Sequence, residues 1–387
     1  MKIAMFTDTW LPTRDGIVTS IERFRESLER LGHHVYIFAP EDKTGTVARD
    51  DKTFFFKARA FKKYDDYRLA FWPAKGKNER LQELGIEVIH NHGLAFVALK
   101  AMISARQLRL PIVLHFHTWV TDAAQYYPFN IREDYLKKGT WRYLKSLCRR
   151  SDAVVTPSKT SMEELKARVT GMRYTDWVSP GVDFGRFNPS VKGAWVKEKY
   201  RVGDAPLLLH VGRVSLEKNL ELIFEALPMV IKRKPGVKLL VVGSGPALDH
   251  YKALARAKGL ENDVIFTGFI PDEELPSYYA GADAFVIAST FETLGIVTVE
   301  AMACGTPAAG LNCRVIPEII QNGRNGHLFK ADPEDCAAGI LRTLDSEDEL
   351  GRNAFESVKR FDTLECGKKL VEIYEEAMKV KQYRFPD

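Results

Sequence analysis

The sequence has few of the features that mark secreted, zinc-stabilised or membrane-spanning proteins. Its five cysteines are odd in number and form no C-x-x-C pair, which argues against a disulfide framework or a structural zinc site and suits a reducing cytosol. No apolar run approaches the roughly 20 residues that span a bilayer. The N-terminal MKIAMFTDTW is a short strand pattern interrupted by Asp8, not the apolar stretch of a signal peptide. We therefore expect a cytoplasmic protein whose membrane contact, if any, is peripheral.

A strong charge of one sign is also missing. The 387 residues carry a formal net charge of only +5, so no overall charge demands a nucleic-acid partner. The composition, with 45% hydrophobic and 28% charged residues, is that of an ordinary globular protein. The length indicates two domains. No D-x-D motif occurs, so the sequence does not indicate a metal ion bridging a diphosphate.

Short apolar runs alternate with helical stretches along the chain, which is typical of parallel sheets covered on both faces. In the first half, the predicted strands are residues 2–6, 34–39, 87–91, 112–115 and 153–156. The pattern restarts with predicted strands 206–211, 238–242, 264–267 and 284–287. Predicted helices include 18–31, 221–232, 248–258 and 364–379. Residues 178–189 contain Pro and Gly without periodicity and are interpreted as an interdomain linker.

The strongest chemical signal is residues 291–307, FETLGIVTVEAMACGTP, which directly follow a predicted strand. Glu292 falls in the strand-to-helix loop, and Leu294 and Gly295 begin the helix, where free backbone amides suit an anion. Glu300 lies one to two turns on, in a nearly uncharged helix, which suggests a specific hydrogen-bond partner. The alternative is an ordinary loop glutamate followed by a solvated helix glutamate.

A second signal is LLLHVGRVSLEKN, residues 207–219. A strand ends at Gly212, and Arg213 and Lys218 follow in its loop. Arginine can grip a diphosphate with two parallel N–H bonds, whereas lysine acts as a point charge. Such cations taken alone are more often surface charges, but their combination with the carboxylate motif favours the diphosphate role.

Two weaker signals follow later strands. Gly243-Ser-Gly245 is compatible with ligand approach but also with a simple tight turn. The backbone around Thr267-Gly268-Phe269 can receive a nucleobase, or serve only the fold.

In the first half, Asp15-Gly16 occupies the first strand-to-helix loop, where a glycine permits close backbone approach to a ligand, although an ordinary turn fits equally well. His115 and His117 share one side if their strand continues. His90 and His92 form the only other histidine cluster, and no carboxylate accompanies either pair at ligand spacing. We therefore predict no metal site, and a hydrogen bond from His117 to substrate.

Taken together, these residues resemble the family-4 retaining glycosyltransferases of the GT-B fold. The resemblance covers the whole chain, and its most specific part is the E-x₇-E motif of Glu292 and Glu300 with the following AMACGTP. It implies an α/β protein with two Rossmann-like domains facing across a deep cleft. The implied boundaries are residues 1–180 for the acceptor domain, 181–363 for the nucleotide-sugar domain, and 364–387 for a helix that crosses back.

The resemblance also implies roles for single residues. Arg213 and Lys218 would hold the donor diphosphate, and Glu292 would contact the transferred sugar. His117 would contact the same sugar near its reacting centre. Further donor contacts would come from the amides of Leu294 and Gly295, from Glu300 at the ribose, from the backbone at Phe269, and from Gly16, Gly212 and Gly243.

The implied chemistry is retention without a clear protein nucleophile, which suggests front-face attack with the leaving phosphate accepting the acceptor's proton. Nearly every catalytic role is then electrostatic, and Arg213 and Lys218 replace the charge of a metal. No cofactor is expected, since the nucleotide-sugar, UDP-glucose or another UDP- or GDP-hexose, is a substrate.

For the acceptor, the opening residues look most like the branch that contains diacylglycerol glucosyltransferases. The basic and aromatic segments around Lys62, Lys63, Arg68 and Tyr126 fit that branch. Seven Lys or Arg lie between residues 131 and 150, among them Arg142 and Lys145, with aromatic residues interleaved, as expected for contact with the anionic inner face of a membrane. A solvated helix that packs its aromatics inward fits as well, and sugar phosphates or soluble glycans remain alternative acceptors.

Three rival classes share parts of this pattern. A nucleotide-sugar epimerase would use a similar donor site, but the E-x₇-E helix argues against it. A non-catalytic binding module would not need His117. A phosphorylase would need a lysine for pyridoxal phosphate and a much longer chain.

Overall fold

The computed structural model describes residues 1–13, 15–42, 50–61, 64–70, 76–117 and 133–384. The chain folds into two compact units. The first comprises Met1–Gly181 together with the C-terminal Thr363–Asp387, and the second comprises Val182–Asp362. Each unit is built on one parallel sheet, which confirms the predicted α/β class.

Seven parallel strands form the sheet of the first unit. They are β1 (Lys2–Phe6), β2 (His34–Pro40), β3 (Thr53–Phe56), β6 (Val88–Asn91), β7 (Ile112–His115), β8 (Ala153–Thr156) and β9 (Tyr174–Trp177), and a separate antiparallel pair is formed by β4 (Arg59–Phe61) and β5 (Tyr64–Leu69). The order across the sheet is β3-β2-β1-β6-β7-β8-β9. The helices between these strands are α1 (Gly16–Arg30), α2 (Lys77–Leu84), α3 (Phe96–Gln107), α4 (Glu133–Arg150) and α5 (Lys159–Arg168).

Strand β1 shows why this sheet is covered on both faces. Successive side chains of a strand point to opposite faces. Ile3 and Met5 accordingly pack in one apolar cluster with residues of α1, whereas Ala4 and Phe6 pack in another with residues of α3. All four side chains are fully buried, so the apolar run observed in the sequence serves two cores at once.

Six parallel strands form the sheet of the second unit. They are β10 (Leu207–Val211), β11 (Lys238–Val242), β12 (Val264–Gly268), β13 (Ala284–Ile287), β14 (Ala308–Leu311) and β15 (Gly326–Phe329). Their order is β12-β11-β10-β13-β14-β15. The helices are α6 (Ala194–Lys199), α7 (Leu220–Arg233), α8 (Leu248–Ala257), α9 (Leu275–Ala280), α10 (Ile296–Ala303), α11 (Ile316–Ile319), α12 (Pro333–Asp345) and α13 (Glu347–Val358).

The final helix, α14 (Thr363–Arg384), belongs to the first unit and packs against α1. Its Leu370, Ile373 and Tyr374 are fully buried in the cluster that contains β1 and α1 residues. Among the described residues, no helix combines the length and apolarity needed to cross a membrane.

The nine predicted strands are confirmed to within one residue at each end, whereas four strands of the main sheets were missed. β3 has the aromatic sequence TFFF, for which no strand was predicted. β9 is only half-buried and has the sequence YTDW, so it offers no apolar run. β14 (AAGL) and β15 (GHLF) are short and contain glycine, which disfavours strands.

Both sheets reverse their strand order at one place, between β1 and β6 in the first unit and between β10 and β13 in the second. Ligands of open α/β sheets bind at such switch points, beyond the carboxyl ends of the strands. The residues that follow these four strands are therefore where a site is expected.

Candidate active site

The loops after β10 and β13 bring together the two charged residues that the sequence singled out. Lys218 Nζ donates to Glu292 Oε1 at 2.5 Å, and the side chains are only 19% and 14% exposed. Burial by itself lowers the pKa of Lys218, but the adjacent Glu292 carboxylate outweighs it and the pKa lies above its ordinary value. Lys218 therefore remains a cation, and its ion pair with Glu292 fixes it beside the switch point.

Hydrogen bonds tie these two loops to each other. The carbonyl oxygen of Glu217 accepts from the Thr290 amide at 3.1 Å and from Ser289 Oγ at 3.2 Å. Ser215 Oγ in turn donates to the Glu217 carboxylate at 2.5 Å. Because the backbone of one loop is fixed on the other, the separation of Lys218 and Glu292 is set by the fold and not by their own attraction alone.

Arg213 is different from Lys218, because it is exposed and its guanidinium pairs with none of the residues that the structure describes. Its positive charge is near enough to oppose protonation of Lys218. The loop pair holds two cations, Arg213 and Lys218, and two carboxylates, Glu217 and Glu292, and Arg213 is the exposed cation that no described residue pairs with. That arrangement favours an anion with several oxygens, such as a diphosphate.

The start of α10 adds backbone donors to this positive region. Gly295 caps the helix with φ +66°, a backbone conformation that favours glycine, and a Cβ there would lie 3.1 Å from Ile319 Cδ1, which would have to shift to make room. The first amides of a helix have no partner within the helix, and its dipole favours negative charge at this end. Leu294 and Gly295 are thus placed to offer N–H groups to an anion.

Gly212 and Gly243 have a structural reason for being glycine. They end the neighbouring strands β10 and β11 with φ +154° and +125°, and a Cβ on Gly243 would lie 2.0 Å from the Gly212 carbonyl oxygen. Gly245 likewise approaches the Val214 carbonyl oxygen, 2.3 Å from where its Cβ would lie. The G-x-G motif is therefore explained by close backbone packing, and a direct donor contact by Gly243 stays a prediction.

Glu300 lies inside α10, is only 4% exposed, and accepts a hydrogen bond from the hydroxyl of Tyr279 at 2.9 Å. The specific partner predicted for this carboxylate is thus confirmed, although no local pattern indicated that it would be Tyr279. Tyr279 lies in α9, 21 residues before Glu300 in the sequence. Its side chain is fully buried. The pair holds the carboxylate in one orientation.

His210 on β10 is a further buried group that sequence reasoning missed. Its Nδ1 donates to the Val286 carbonyl at 3.0 Å, and its Nε2 is buried with no partner among the described residues. Burial lowers the pKa of His210 to about 4. This imidazole is therefore neutral at physiological pH and oriented, and it lies on the strand that leads into the loop of Arg213.

Phe269 follows β12 at the edge of the second sheet, and its ring is 78% exposed. The preceding Gly268 has φ +70°, which turns the chain away from the strand. An exposed aromatic ring at the edge of the sheet fits the predicted nucleobase contact.

Gly16 lies in the first unit, at the start of α1 and not in the preceding loop, which corrects the sequence interpretation. Asp15 caps this helix, and its carboxylate accepts from the amides of Ile17 and Val18, both at 2.9 Å. A Cβ added to Gly16 would meet no atom of the described residues within 4 Å.

Four buried histidines lie at the carboxyl ends of β6 and β7, and we call His90, His92, His115 and His117 the histidine quartet. His115 and His117 stack with ring centroids 4.1 Å apart, which confirms that they share one side of the chain. His92 Nδ1 is hydrogen-bonded to His117 Nε2 at 2.8 Å, and His90 Nδ1 to the Tyr374 hydroxyl at 2.7 Å. Burial lowers the pKa of all four, and that of His117 to about 3, so the quartet is neutral at physiological pH.

The quartet includes three histidines, His90, His92 and His115, with one ring nitrogen each within 4.8 Å of the others. Zinc sites use three or four protein ligands with free lone pairs. Among the ring nitrogens of His90, His92 and His115, only His92 Nε2 and His115 Nε2 lack a hydrogen-bond partner among the described residues. We therefore interpret the quartet as a hydrogen-bonded imidazole network, and metal independence stays a prediction.

Helix α4 carries the basic surface that was predicted to meet a membrane. Its Leu144, Leu147 and Cys148 are buried, and the opposite face lines a groove of about 770 Å³. Five cations and one aromatic residue line this groove: Lys138, Trp141, Arg142, Lys145, Arg149 and Arg150. Trp141 is half-buried and stacks under Arg168, 5.3 Å from its ring centroid.

Arg68 does not behave as a free surface cation. It pairs with the Asp42 carboxylate at 2.5 Å and donates to the Glu41 carbonyl at 3.2 Å, and its side chain is only 18% exposed. Its charge is therefore neutralised within the fold. Lys62, Lys63 and Tyr126 lie outside the described residues.

Each half of the chain matches the model of a known protein family. Residues 14–186 match the family model described as Glycosyltransferase Family 4, and residues 192–360 match the one described as Glycosyl transferases group 1. The boundary between the two matches falls near the boundary between the two structural units.

Similar curated proteins and solved structures span nearly the whole chain. An alpha-monoglucosyldiacylglycerol synthase of Streptococcus pneumoniae is 29% identical over 98% of this chain and 86% of its own length. A GDP-mannose-dependent alpha-mannosyltransferase of Mycolicibacterium smegmatis is 26% identical over 87% of this chain and 86% of its own.

Among solved structures, Anabaena HepE in complex with UDP superposes with a TM-score of 0.77 at 20% identity, covering 97% of this chain and 100% of its own. That likeness shows the fold, two Rossmann-like halves of the GT-B class. The chain is a glycosyltransferase, composed of a Glycosyltransferase Family 4 domain followed by a Glycosyl transferases group 1 domain.

Proposed function

We propose that this enzyme transfers a hexosyl group, with retention, from a nucleoside diphosphate sugar to a lipid acceptor such as diacylglycerol, with UDP-glucose as the first donor to test. The observation that carries the donor part is the cluster of Arg213, the Lys218–Glu292 pair and the N-terminus of α10 at the switch point of the second unit. This cluster offers fixed positive charge and backbone donors to a diphosphate.

The positive charges of Arg213 and Lys218, with Glu292 beside them, suit a dianionic leaving group. A donor diphosphate would accept hydrogen bonds from Arg213 and Lys218, which frees one Glu292 oxygen for a hydroxyl of the sugar. In the transfer step the bond from C1 to the phosphate oxygen breaks and the bond from C1 to the acceptor oxygen forms on the same face. The acceptor's proton passes to the departing phosphate oxygen, whose growing charge the two cations stabilise.

Further donor contacts follow from the positions of the remaining residues. The buried Glu300, oriented by Tyr279, would accept from the ribose hydroxyls. The base would lie against the exposed Phe269. Gly16 and His117 are assigned to the donor by resemblance, and kinetics of variants test that assignment.

The acceptor part rests on helix α4. Its groove combines five cations with a half-buried tryptophan, which suits the anionic headgroups of a membrane in which a lipid acceptor is dissolved. The pneumococcal relative is named for a glucosyldiacylglycerol product, which supports the same acceptor class. We propose peripheral attachment to the inner membrane face as the location.

The test is transfer of labelled glucose from UDP-glucose to diacylglycerol in mixed vesicles, with anionic or neutral phospholipid and a metal chelator present. Anomeric coupling constants of the product decide retention. We expect a glycolipid with retained configuration, formed faster on anionic vesicles. Product only with soluble glycans or sugar phosphates, or only from GDP-mannose, would replace the acceptor or donor assignment, and epimerised nucleotide-sugar without transfer would contradict the reaction.

A further inference from the structure

His92 and His117 are brought together by neighbouring strands of the first sheet. β6 and β7 are paired in parallel, with Asn91 opposite Leu114, and the two histidines follow the ends of these strands. Their ring nitrogens, His92 Nδ1 and His117 Nε2, lie 2.8 Å apart, and the ring centroids are 5.1 Å apart. The contact is therefore a true hydrogen bond, in which one of the two nitrogens donates and the other accepts.

Only two neutral arrangements of protons satisfy this bond. Either His92 carries its proton on Nδ1 and donates to His117, or His117 carries its proton on Nε2 and donates to His92. A third arrangement, with a charged imidazolium, is disfavoured because burial lowers the pKa of both rings and the neighbouring imidazoles lower that of His92 further.

The surroundings of His92 Nε2 discriminate between the two arrangements. This atom is buried and has no hydrogen-bond partner among the residues that the structure describes. In the second arrangement it must carry a proton, which leaves a buried N–H unpaired. Unpaired buried N–H donors are rarer than incompletely paired acceptors, so the first arrangement is favoured.

We propose that His92 is a positioning residue, which donates its Nδ1–H to His117 Nε2 and thereby holds the proton of His117 on Nδ1. His117 Nδ1 makes no hydrogen bond with any described residue, and His117 is 9% exposed against 1% for His92. The atom that His117 can offer to a ligand is therefore an N–H. It would donate to an oxygen lone pair of the donor sugar or its phosphate, and it cannot act as a base there.

This inference rests on the proposed function only for its kinetic consequence, since the proton position of His117 is measurable without substrate. Long-range proton–nitrogen NMR correlations of the histidine-labelled full chain distinguish a ring protonated on Nδ1 from one protonated on Nε2. His117→Ala identifies the signal. We expect Nδ1 protonation of His117 in the wild type, and protonation on Nε2 would overturn the proposal.

Two substitutions of His92 separate positioning from packing. His92→Asn retains an amide N–H close to the position of Nδ1, whereas His92→Leu retains bulk without a donor. We expect His92→Leu to release the fixed tautomer of His117 and to lower kcat about 10- to 100-fold with little change in donor KM, and His92→Asn to restore most of both. His90→Asn is the matched control, because His90 is equally buried in the quartet but bonds to Tyr374 and not to His117; it should leave the tautomer unchanged.

The outcomes distinguish this inference from the proposed function. Loss of activity in His117→Ala with wild-type kinetics in His92→Leu would overturn the role of His92 and leave the proposed function standing. Full activity in His117→Ala would remove His117 from the reaction, and the NMR measurement would still decide the hydrogen bond. Zinc-dependent shifts of the His92 signals, reversed by a chelator, would overturn the proposal in favour of a metal site.

Discussion

The two units place opposite chemistry near the switch points of their sheets. In the second unit, the residues after the strands at the switch point are charged and partly exposed: Arg213, Lys218 and Glu292. In the first unit, the histidine quartet lies at the carboxyl ends of β6, a strand at the switch point, and of its neighbour β7, and it is neutral and almost completely buried. One position is suited to bind an anion strongly, and the other to offer oriented neutral hydrogen bonds.

The difference follows from how each group avoids the cost of burial. A buried charge needs a partner, and Lys218 has one in Glu292, which keeps it charged until a ligand arrives. A buried imidazole avoids that cost by staying neutral, at the expense of its ability to take up a proton. The second unit thus keeps a charged group near its switch point, whereas the first unit keeps neutral groups in fixed orientations.

The largest expected effect is on the stability of the first unit at mildly acidic pH. Each quartet histidine has a lowered pKa in the folded state, whereas in the unfolded chain the pKa is about 6.5. The unfolded chain therefore gains protons as the pH falls below 6.5, and the folded chain does not until near pH 3 for His117. Stability is fully present above pH 6.5 and is lost on acidification, by up to about 1.4 kcal/mol per pH unit for each histidine.

Denaturant unfolding at pH 7.5 and 5.5, followed by hydrogen exchange of β6 and β7, measures this loss. His90→Asn removes one titrating ring and should reduce the number of protons taken up on unfolding by about one. Equal stability of the first unit at the two pH values would show that the quartet is not neutral and buried, and would break the contrast between the units.

The second expected effect is on catalysis. Lys218→Ala removes the cation that Glu292 holds in place, and we expect kcat to fall about 10²- to 10³-fold, as for loss of one electrostatic donor to a transition state. Steady-state transfer assays measure it. Lys252→Ala, an exposed lysine of the same unit, is the control; an equal effect of the two substitutions would remove the charge on Lys218 from the mechanism.

A third, smaller effect concerns the basic surface of the first unit. Arg142→Gln with Lys145→Gln should weaken binding to anionic vesicles about 25-fold, at about 1 kcal/mol for each cation near the surface. Vesicle co-sedimentation at several salt concentrations measures it. The matched pair Arg256→Gln with Lys252→Gln changes the same charges on the second unit, and equal weakening by both pairs would contradict a specific role for α4.

The smallest effect tests the orientation of Glu300. Tyr279→Phe removes one hydrogen bond to the carboxylate and should raise the donor KM a few-fold and lower stability by about 1–2 kcal/mol. Tyr278→Phe is the control, because its hydroxyl bonds to Lys199 and Tyr200. If both variants raise the donor KM equally, Tyr279 supports the fold only.

The two regions also differ in how far the sequence predicted them. Arg213, Lys218 and Glu292 follow apolar strands within short motifs, so local patterns were enough to indicate an anion site after β10 and β13. The sequence showed the two histidine pairs but not the contact between them, because the hydrogen bond of His92 with His117 depends on β6 lying beside β7. Tyr374 and Tyr279 were missed because their partners are far away in sequence and a buried tyrosine has no local signature.

The last two strands of the second sheet were among the least predictable parts of the fold. β14 and β15 contain glycines that the packing requires, such as Gly310 against Ile316 and Gly326 against the Ala308 backbone. These glycines weaken the strand signal while they make the close contacts possible. The pairing of Arg68 with Asp42 could not be predicted for a similar reason, since it arises only in the folded chain.

The most direct test of the account is calorimetric binding of UDP, GDP and their hexoses to the full chain in the presence of a chelator. We predict tight binding of one nucleotide family, weakened about 10- to 100-fold by Arg213→Ala, in line with charge-assisted hydrogen bonds to a diphosphate. Arg256→Ala, an exposed arginine of the same unit, should have no effect. Binding that is unchanged by Arg213→Ala, or that requires a divalent metal, would contradict the claim that these loops hold the donor by their own charge.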